Sequence, residues 1–314
     1  MQTQIDELEI QPQSFSTLFI GGGTPSTLDI ASYEQIFSLI TPYLKDGIEI
    51  TTEINPSAKK DWLKEMQNFG INRISMGVQS FDDEKLKLLG RNHTSKKAHI
   101  TLENLFAVGY QNVSLDLIYD VCSDTQDTLK QDLAAATQYD IKHLSSYALT
   151  IEPNTAFEHK INMKQDNEEL CIFWFDYIQE QGFDAYEISN FAKAPQYQSE
   201  HNKGYWNYTE YIGTGSGAIG YHSGHRLTSE SNIEKYILDP TAKTREEIDT
   251  EKQKIEKIFL GLRSHLGVDT KLLSKQGLTK AQILLQEHKL TEKNGKLYNP
   301  NFLLSDEIAL FICD

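Results

Sequence analysis

Gly21-Gly22-Gly23-Thr24-Pro25-Ser26 follows directly on the short apolar run Thr17-Leu18-Phe19-Ile20. Three glycines let the backbone approach a bound molecule closely and leave N–H and C=O groups free to hold it. The run is not a P-loop, because no Gly-Lys-Ser/Thr follows, and it is not GxGxxG. Polar residues recur at the same place in the next three units: Glu53 after the second apolar run, Gln79 after the third and Asp116 in the fourth. Four consecutive units with polar groups at one edge point to a shared ligand there. Helix capping by Glu53 and Asp116 is the simpler alternative; it accounts for one carboxylate but not for the series. No metal site is legible locally, since Cys122, Cys171 and Cys313 lie far apart without CxxC, CxxxC or Cys/His spacing. An odd, scattered set is also no disulfide framework, and three free thiols are expected.

The elements that must position these residues alternate. Apolar or β-branched runs at 17–20, 48–53, 73–78, 112–117 and 143–149 read as strands, with amphipathic stretches at 33–44, 60–69, 98–108 and 125–139 between them. In the last stretch Leu129, Leu133, Ala136 and Tyr139 share one face. Strand–helix alternation implies an α/β fold with a parallel sheet and right-handed crossovers. Few charges fall in the strands, as a sheet buried on both faces requires. A doubly wound sheet and a βα barrel both satisfy the pattern, and both bind ligands at the carboxyl ends of their strands.

Beyond Pro153 the pattern changes. Residues 166–182 read as one helix with Leu170, Phe173, Trp174 and Tyr177 on its apolar face, and 185–226 as a loop-rich stretch dense in Tyr, Gly and Asn. From Glu246 the chain is helical again, and Asn294-Gly295 is a hairpin signal. Helices, a hairpin and a last helix suggest a small winged-helix-like module.

Composition sets the bounds. The chain has 314 residues, 39% hydrophobic and 24% charged, as a folded globular protein has. A net charge of −15 argues against a nucleic-acid partner, which needs clustered Lys and Arg. The start, MQTQIDELEI, resembles no signal peptide, and no apolar run approaches the roughly 18–20 residues needed to span a bilayer. A cytoplasmic location is the resulting expectation.

The series FIGGGTPS, EINPS, RISMGVQSFDD, LGRNHT, VSLDLIYD and SSYALTIEPNT resembles, in order, the radical S-adenosylmethionine (SAM) family of the oxygen-independent coproporphyrinogen III oxidase and its relatives. Within that group, HNKGYW (201–206) is similar to a motif of the haem-chaperone members rather than of the oxidase, and EKIFLGLRSHLGVD resembles the start of the group's C-terminal domain. The resemblance implies a partial (β/α)6 TIM-like radical SAM barrel lacking its first strand, with a small C-terminal helical, winged-helix-like domain. The corresponding division is a barrel at 1–190, a connecting region with the HNxxYW motif at 191–245 and the C-terminal domain at 246–314.

Roles follow from the resemblance residue by residue. Gly22, Gly23 and Thr24 would bind the methionine end of SAM, and Glu53 its α-amino group by a charge-assisted hydrogen bond. Gln79, Arg91 and Asp116 would hold the carboxylate and ribose, with the planar fork of Arg91 suited to a carboxylate. Ala148 lies where the family packs backbone against adenine. His201 is the candidate haem ligand, with Tyr205 and Trp206 able to stack on a porphyrin. The bland alternative is a loop histidine bonded to backbone with core aromatics, and His222 and His225 are alternative ligands.

One departure matters. Family members begin with a strand ending in CxxxCxxC, whose thiolates hold a [4Fe–4S] cluster, whereas only about sixteen residues precede Thr17 here and none is cysteine. The chain is therefore expected to lack the cluster ligands, through truncation or through natural loss; retention of the SAM-contacting residues favours truncation. Loss of an inner strand would also expose an edge and lower stability. The function expected is that of a haem chaperone, which binds haem and SAM and delivers haem to an acceptor protein. The alternatives are an oxygen-independent coproporphyrinogen III oxidase and a cluster-less SAM-binding remnant.

Overall fold

The computed structural model describes residues 1–153 and 157–313; Asn154 and Thr155, at the end of the SSYALTIEPNT motif, lie outside the described residues. The chain folds as two compact units. One comprises Ser16–Phe37 and Gly47–Gln198, the other Met1–Phe15, Ser38–Asp46 and Ser199–Asp314.

After α1 (Gln2–Glu7) the order is β1 (Phe15–Ile20), α2 (Ile30–Ile40), β2 (Leu44–Ile54), α3 (Lys60–Asn68), β3 (Arg73–Gln79), α4 (Asp83–Leu88), α5 (Ser95–Val108), β4 (Val113–Tyr119), α6 (Gln126–Thr137), β5 (His143–Ala148) and α7 (Glu168–Glu180). Two short strands follow, β6 (Asp184–Ala185) and β7 (Asn190–Ala192). They complete a seven-stranded sheet of order β1-β2-β3-β4-β5-β7-β6. The pairs from β2 to β5 are parallel. Strand order that follows chain order, with no switch point, is that of a barrel wall and not of a doubly wound sheet. The loop reading of 185–226 needs one correction, since two short strands extend the sheet there: β7 runs antiparallel to β5, and β6 antiparallel to β7. Their tight 186–189 connection leaves no room for the crossover helix a parallel pair needs.

The helices begin and end where local chemistry dictates. Thr94 caps α5 through Lys97 N, and Gly109, at φ 107°, ends it in the left-handed region. Thr125 and Thr128 form a reciprocal capping box on α6, whose Leu129, Leu133 and Ala136 are buried as their spacing requires. On α7 the buried face is Leu170, Trp174, Phe175 and Ile178. Phe173 and Tyr177 instead stack on one another beside it, under the Lys130 ammonium.

In the other unit, α8 (Glu200–Trp206) precedes β8 (Ile219–His222), β9 (His225–Ser229), α9 (Ile233–Leu238) and β10 (Lys243–Glu247), whose strands form a small antiparallel sheet. HNKGYW thus lies on a helix and not in a loop: Ser199 caps it through Asn202 N, a signal that the surrounding Tyr, Gly and Asn obscured. Then come α10 (Thr250–Leu262), β11 (Val268–Asp269), α11 (Lys275–Gln286), β12 (Thr291–Lys293), β13 (Lys296–Tyr298) and α12 (Ser305–Cys313). Asn294 and Gly295, at φ 54° and 75°, turn the expected hairpin. Ile258, Leu262, Leu284, Leu297 and Ile308 fill a core among these helices and strands, as a winged-helix-like module requires. No helix of the described residues is long and apolar enough to cross a membrane.

Candidate functional site

At the carboxyl end of β1 the glycine loop closes onto β2. Glu53 Oε2 accepts from Gly22 N at 3.1 Å. A Cβ at Gly21 would lie 2.5 Å from the Phe19 ring and 3.0 Å from the Glu53 carboxyl carbon, so only glycine permits this approach. Gly22 and Gly23, at φ 74° and 54°, face open space. Asn55 N donates to Ser26 Oγ at 3.4 Å, which ties the GGGTPS loop to the EINPS loop. Burial raises the Glu53 carboxyl, and the Gly22 amide opposes the shift.

Gln79 ends β3 at φ 68°, at a register shift against β4. A Cβ at Gly77 would lie 2.9 Å from Gln79 Nε2, so Gly77 gives that side chain its space. On β4, Asp116 accepts from Ser75 Oγ at 3.2 Å and from the Ser145 hydroxyl. Burial pushes the Asp116 carboxyl up to about 6; neighbouring Glu53 pushes the same way, while its hydrogen bonds and Arg73 oppose. Desolvation lowers the Arg91 guanidinium, and the Asp116 charge opposes that shift. Ala148 closes β5 opposite Tyr119, exposed, with its carbonyl accepting from Thr150 Oγ1 at 3.4 Å. The fold therefore brings Glu53 and Asp116 within electrostatic reach of each other, and Arg91 within reach of Asp116, along one sheet edge. Neither acid caps a helix: Lys59 and Thr125 occupy the caps of α3 and α6.

Three groups here escaped sequence reasoning. Ser75 and Ser145 flank Asp116 from the two neighbouring strands, and buried Glu187 lies between β6 and β7. Burial raises the Glu187 carboxyl to about 7. Serines inside strands carry no spacing signal, and the β6–β7 hairpin lies in the stretch read as loop.

In the other unit, α8 presents His201 one turn before Tyr205. His201 Nε2 and the Tyr205 hydroxyl are 2.9 Å apart, the rings edge-on with centroids at 4.9 Å. Burial lowers His201 to about 4, so its imidazole is neutral at physiological pH. His222 Nδ1 lies 3.0 Å from Glu210 Oε2, and His225 Nδ1 lies 2.7 Å from Ser223 O with Arg245 against the same ring. Those two imidazoles are engaged by charged neighbours, and His201 faces the neutral hydroxyl of Tyr205.

The cysteines do not fit an iron–sulfur cluster. Cys122 is exposed, Cys171 is half-buried with Sγ 3.4 Å from the Tyr119 hydroxyl, and Cys313 belongs to the other unit. Among the described residues no three His, Cys, Asp or Glu side chains are grouped to hold a metal ion.

These features match known proteins. The sequence pattern of the Radical SAM superfamily matches residues 3–136. The heme chaperone HemW of Lactococcus lactis is 33% identical over 282 residues, covering 85% of this chain and 74% of that protein. That of Bacillus subtilis is 35% identical over 279 residues, covering 83% and 73%. The solved structure of coproporphyrinogen III oxidase (HemN) from Escherichia coli, a radical SAM enzyme, superposes with a TM-score of 0.78 at 18% identity, covering 95% of this chain and 77% of that one. The structural likeness carries the fold, the sequence likeness carries the lineage, and together they place this chain in the HemW family of radical SAM proteins.

Proposed function

We propose that the chain is a haem chaperone: it takes haem as cargo at the HNKGYW helix, delivers it to an acceptor protein, and binds SAM at the sheet edge. The observation that carries this reading is His201, a half-buried, neutral imidazole 2.9 Å from the Tyr205 phenol on the HNKGYW helix. Neutral imidazole is the form that ligates haem iron, and a phenolic hydroxyl leaves at little cost. Residues 1–190 serve as the barrel part, 191–245 as the connecting region that carries the motif, and 246–314 as the C-terminal domain. We place the activity in the cytoplasm, where Cys122, Cys171 and Cys313 stay reduced.

The residues of the sheet edge fit SAM. That ligand carries an ammonium, a carboxylate and ribose hydroxyls. Glu53 would take the ammonium, Arg91 and Gln79 the carboxylate, Asp116 the hydroxyls, the open backbone of Gly22, Gly23 and Thr24 the methionine end, and Ala148 the adenine face. The cysteines do not fit the cluster that radical SAM chemistry needs, so no radical step is assigned to this chain.

Asp116 makes SAM binding pH-dependent. Its ionised form accepts ribose hydroxyls, and its carboxyl titrates at about 6 in the free chain. Affinity is expected to fall as pH drops through that value, roughly tenfold between pH 7.5 and 5. The raised carboxyl also binds its proton more tightly when folded, so its stabilising contribution is present at acid pH and is lost as pH rises through about 6. Asp116→Asn should therefore raise the Tm of the ligand-free chain at pH 7.5 while flattening the pH profile of SAM binding. Calorimetric titration and thermal melts at both pH values check this, and an unchanged profile in the variant would contradict it.

Haem hand-over tests the reading itself. The haem-loaded chain, freed of unbound haem by gel filtration, is mixed with apomyoglobin and followed by the Soret band. Transfer faster than from haem on serum albumin, with added coproporphyrinogen III left unchanged, is expected. Retained haem, or decarboxylation of the porphyrinogen, would overturn it.

A further inference from the structure

The unit that contains Ser199–Asp314 holds a cavity of about 310 Å³ walled by Tyr205, Tyr208, Tyr211 and Tyr221, with Arg226 and Glu256 at its polar side. The tyrosines interlock edge-on: Tyr205 and Tyr211 have centroids 4.7 Å apart, and Tyr208 and Tyr221 5.0 Å apart. Tyr205 is also the partner of His201, so the imidazole stands directly behind one wall. Ligand pockets run to roughly 300–1,000 Å³, and this one, at the small end, takes one edge of a large flat ring and not the whole of it.

The polar side is already filled by a carboxylate. Glu256 accepts from Arg226 Nη2 at 2.7 Å and from the Tyr208 hydroxyl at 2.6 Å. A guanidinium and a phenol thus converge on a carboxylate at the rim of an aromatic cavity, beside the candidate iron ligand. Haem offers the same combination of groups, a flat apolar ring edged by propionates.

We propose that this cavity seats the propionate-bearing edge of haem, with a propionate replacing the Glu256 carboxylate on Arg226 and Tyr208. Glu256 is then a built-in placeholder that competes with the cargo. The proposal rests on the haem reading above. Seating only one edge leaves the remainder of the ring available to an acceptor, and the return of Glu256 to Arg226 assists release.

The test is a Soret titration of the full chain with haem and with haem dimethyl ester, which lacks the carboxylate charges. Glu256→Gln removes the competitor and should tighten haem binding about tenfold. Arg226→Met should weaken it about tenfold, with Arg226→Lys in between. The ester should respond less than twofold to each change. Opposite signs from adjacent residues separate this account from general misfolding, which weakens every ligand. Equal haem affinity in all these variants, with binding still abolished by His201→Ala, would overturn the cavity assignment and leave the haem reading standing. A parent chain that binds no haem would overturn both.

Discussion

Lys85→Met is expected to destabilise the unit that contains it by about 3–5 kcal/mol, the cost of breaking a buried ion pair from one side. Lys85 Nζ lies 2.7 Å from Asp124 Oδ1 and 3.5 Å from Asp132 Oδ2, and the three side chains are 4%, 0% and 5% exposed. Asp132 also accepts from Ser80 Oγ and from Phe81 N, at 2.8 and 2.6 Å, and Asp124 from Val121 N at 2.9 Å. Burial raises both carboxyls and Lys85 opposes the rise. Methionine fits the space and leaves two carboxylates with no cation. They rise further, so the deficit is full at neutral pH and shrinks as acid protonates them. At roughly 2–4 °C per kcal/mol for a unit of this size, Tm should fall by about 10 °C at pH 7.5 and by distinctly less at pH 5. Thermal melts at the two pH values check this; an unchanged Tm at pH 7.5 would contradict it.

The triad also explains how the sheet edge is held. Ser80 follows Gln79 directly, Asp124 sits in the segment leaving β4, and α4 carries Lys85 toward Arg91, whose amide donates to Leu86 O at 2.9 Å. One buried cation thus fixes the loops that carry two of the residues assigned to SAM. Weakened SAM binding should accompany the loss of stability.

The periodic part of the fold was legible in the sequence. Apolar, β-branched runs and helical stretches of period 3.6 located β1 to β5 and the helices α2, α3, α5 and α6 between them, because strands buried on both faces leave few alternatives; short α4 was not read. Gly21 and Gly77 illustrate how far the site was legible. The run at Gly21 was legible as a place where backbone comes close to another group, and in the fold that group is Glu53; Gly77, a lone glycine beside Gln79, carried no such signal. The antiparallel β6–β7 hairpin stayed hidden because strands of two and three residues carry no periodicity. Lys85 stayed hidden because its sequence neighbours, Asp83, Glu84 and Lys87, mark a solvated helix face, and only tertiary packing turns it inward. The tyrosine cavity assembles from residues dispersed over 205–263, a grouping that spacing alone does not reveal.

His201→Ala is expected to have the largest effect on binding. Loss of a direct iron ligand should exceed the 10–100-fold that outer partners of a metal carry, and so weaken haem by more than about 100-fold. The imidazole titrates near 4, so protons do not compete with iron above about pH 5, and parent affinity should be flat from pH 6 to 8. An ordinary exposed histidine, titrating near 6.5, would lose affinity across the lower half of that range. His222→Ala and His225→Ala, whose rings are held by Glu210 and Arg245, should bind as the parent does. The most direct measurement is a haem titration followed by Soret absorbance on the parent and on His201→Ala. A saturable Soret shift in the parent that is absent from the variant is the result this account predicts. A shift of equal midpoint in both, or none in the parent, would contradict it.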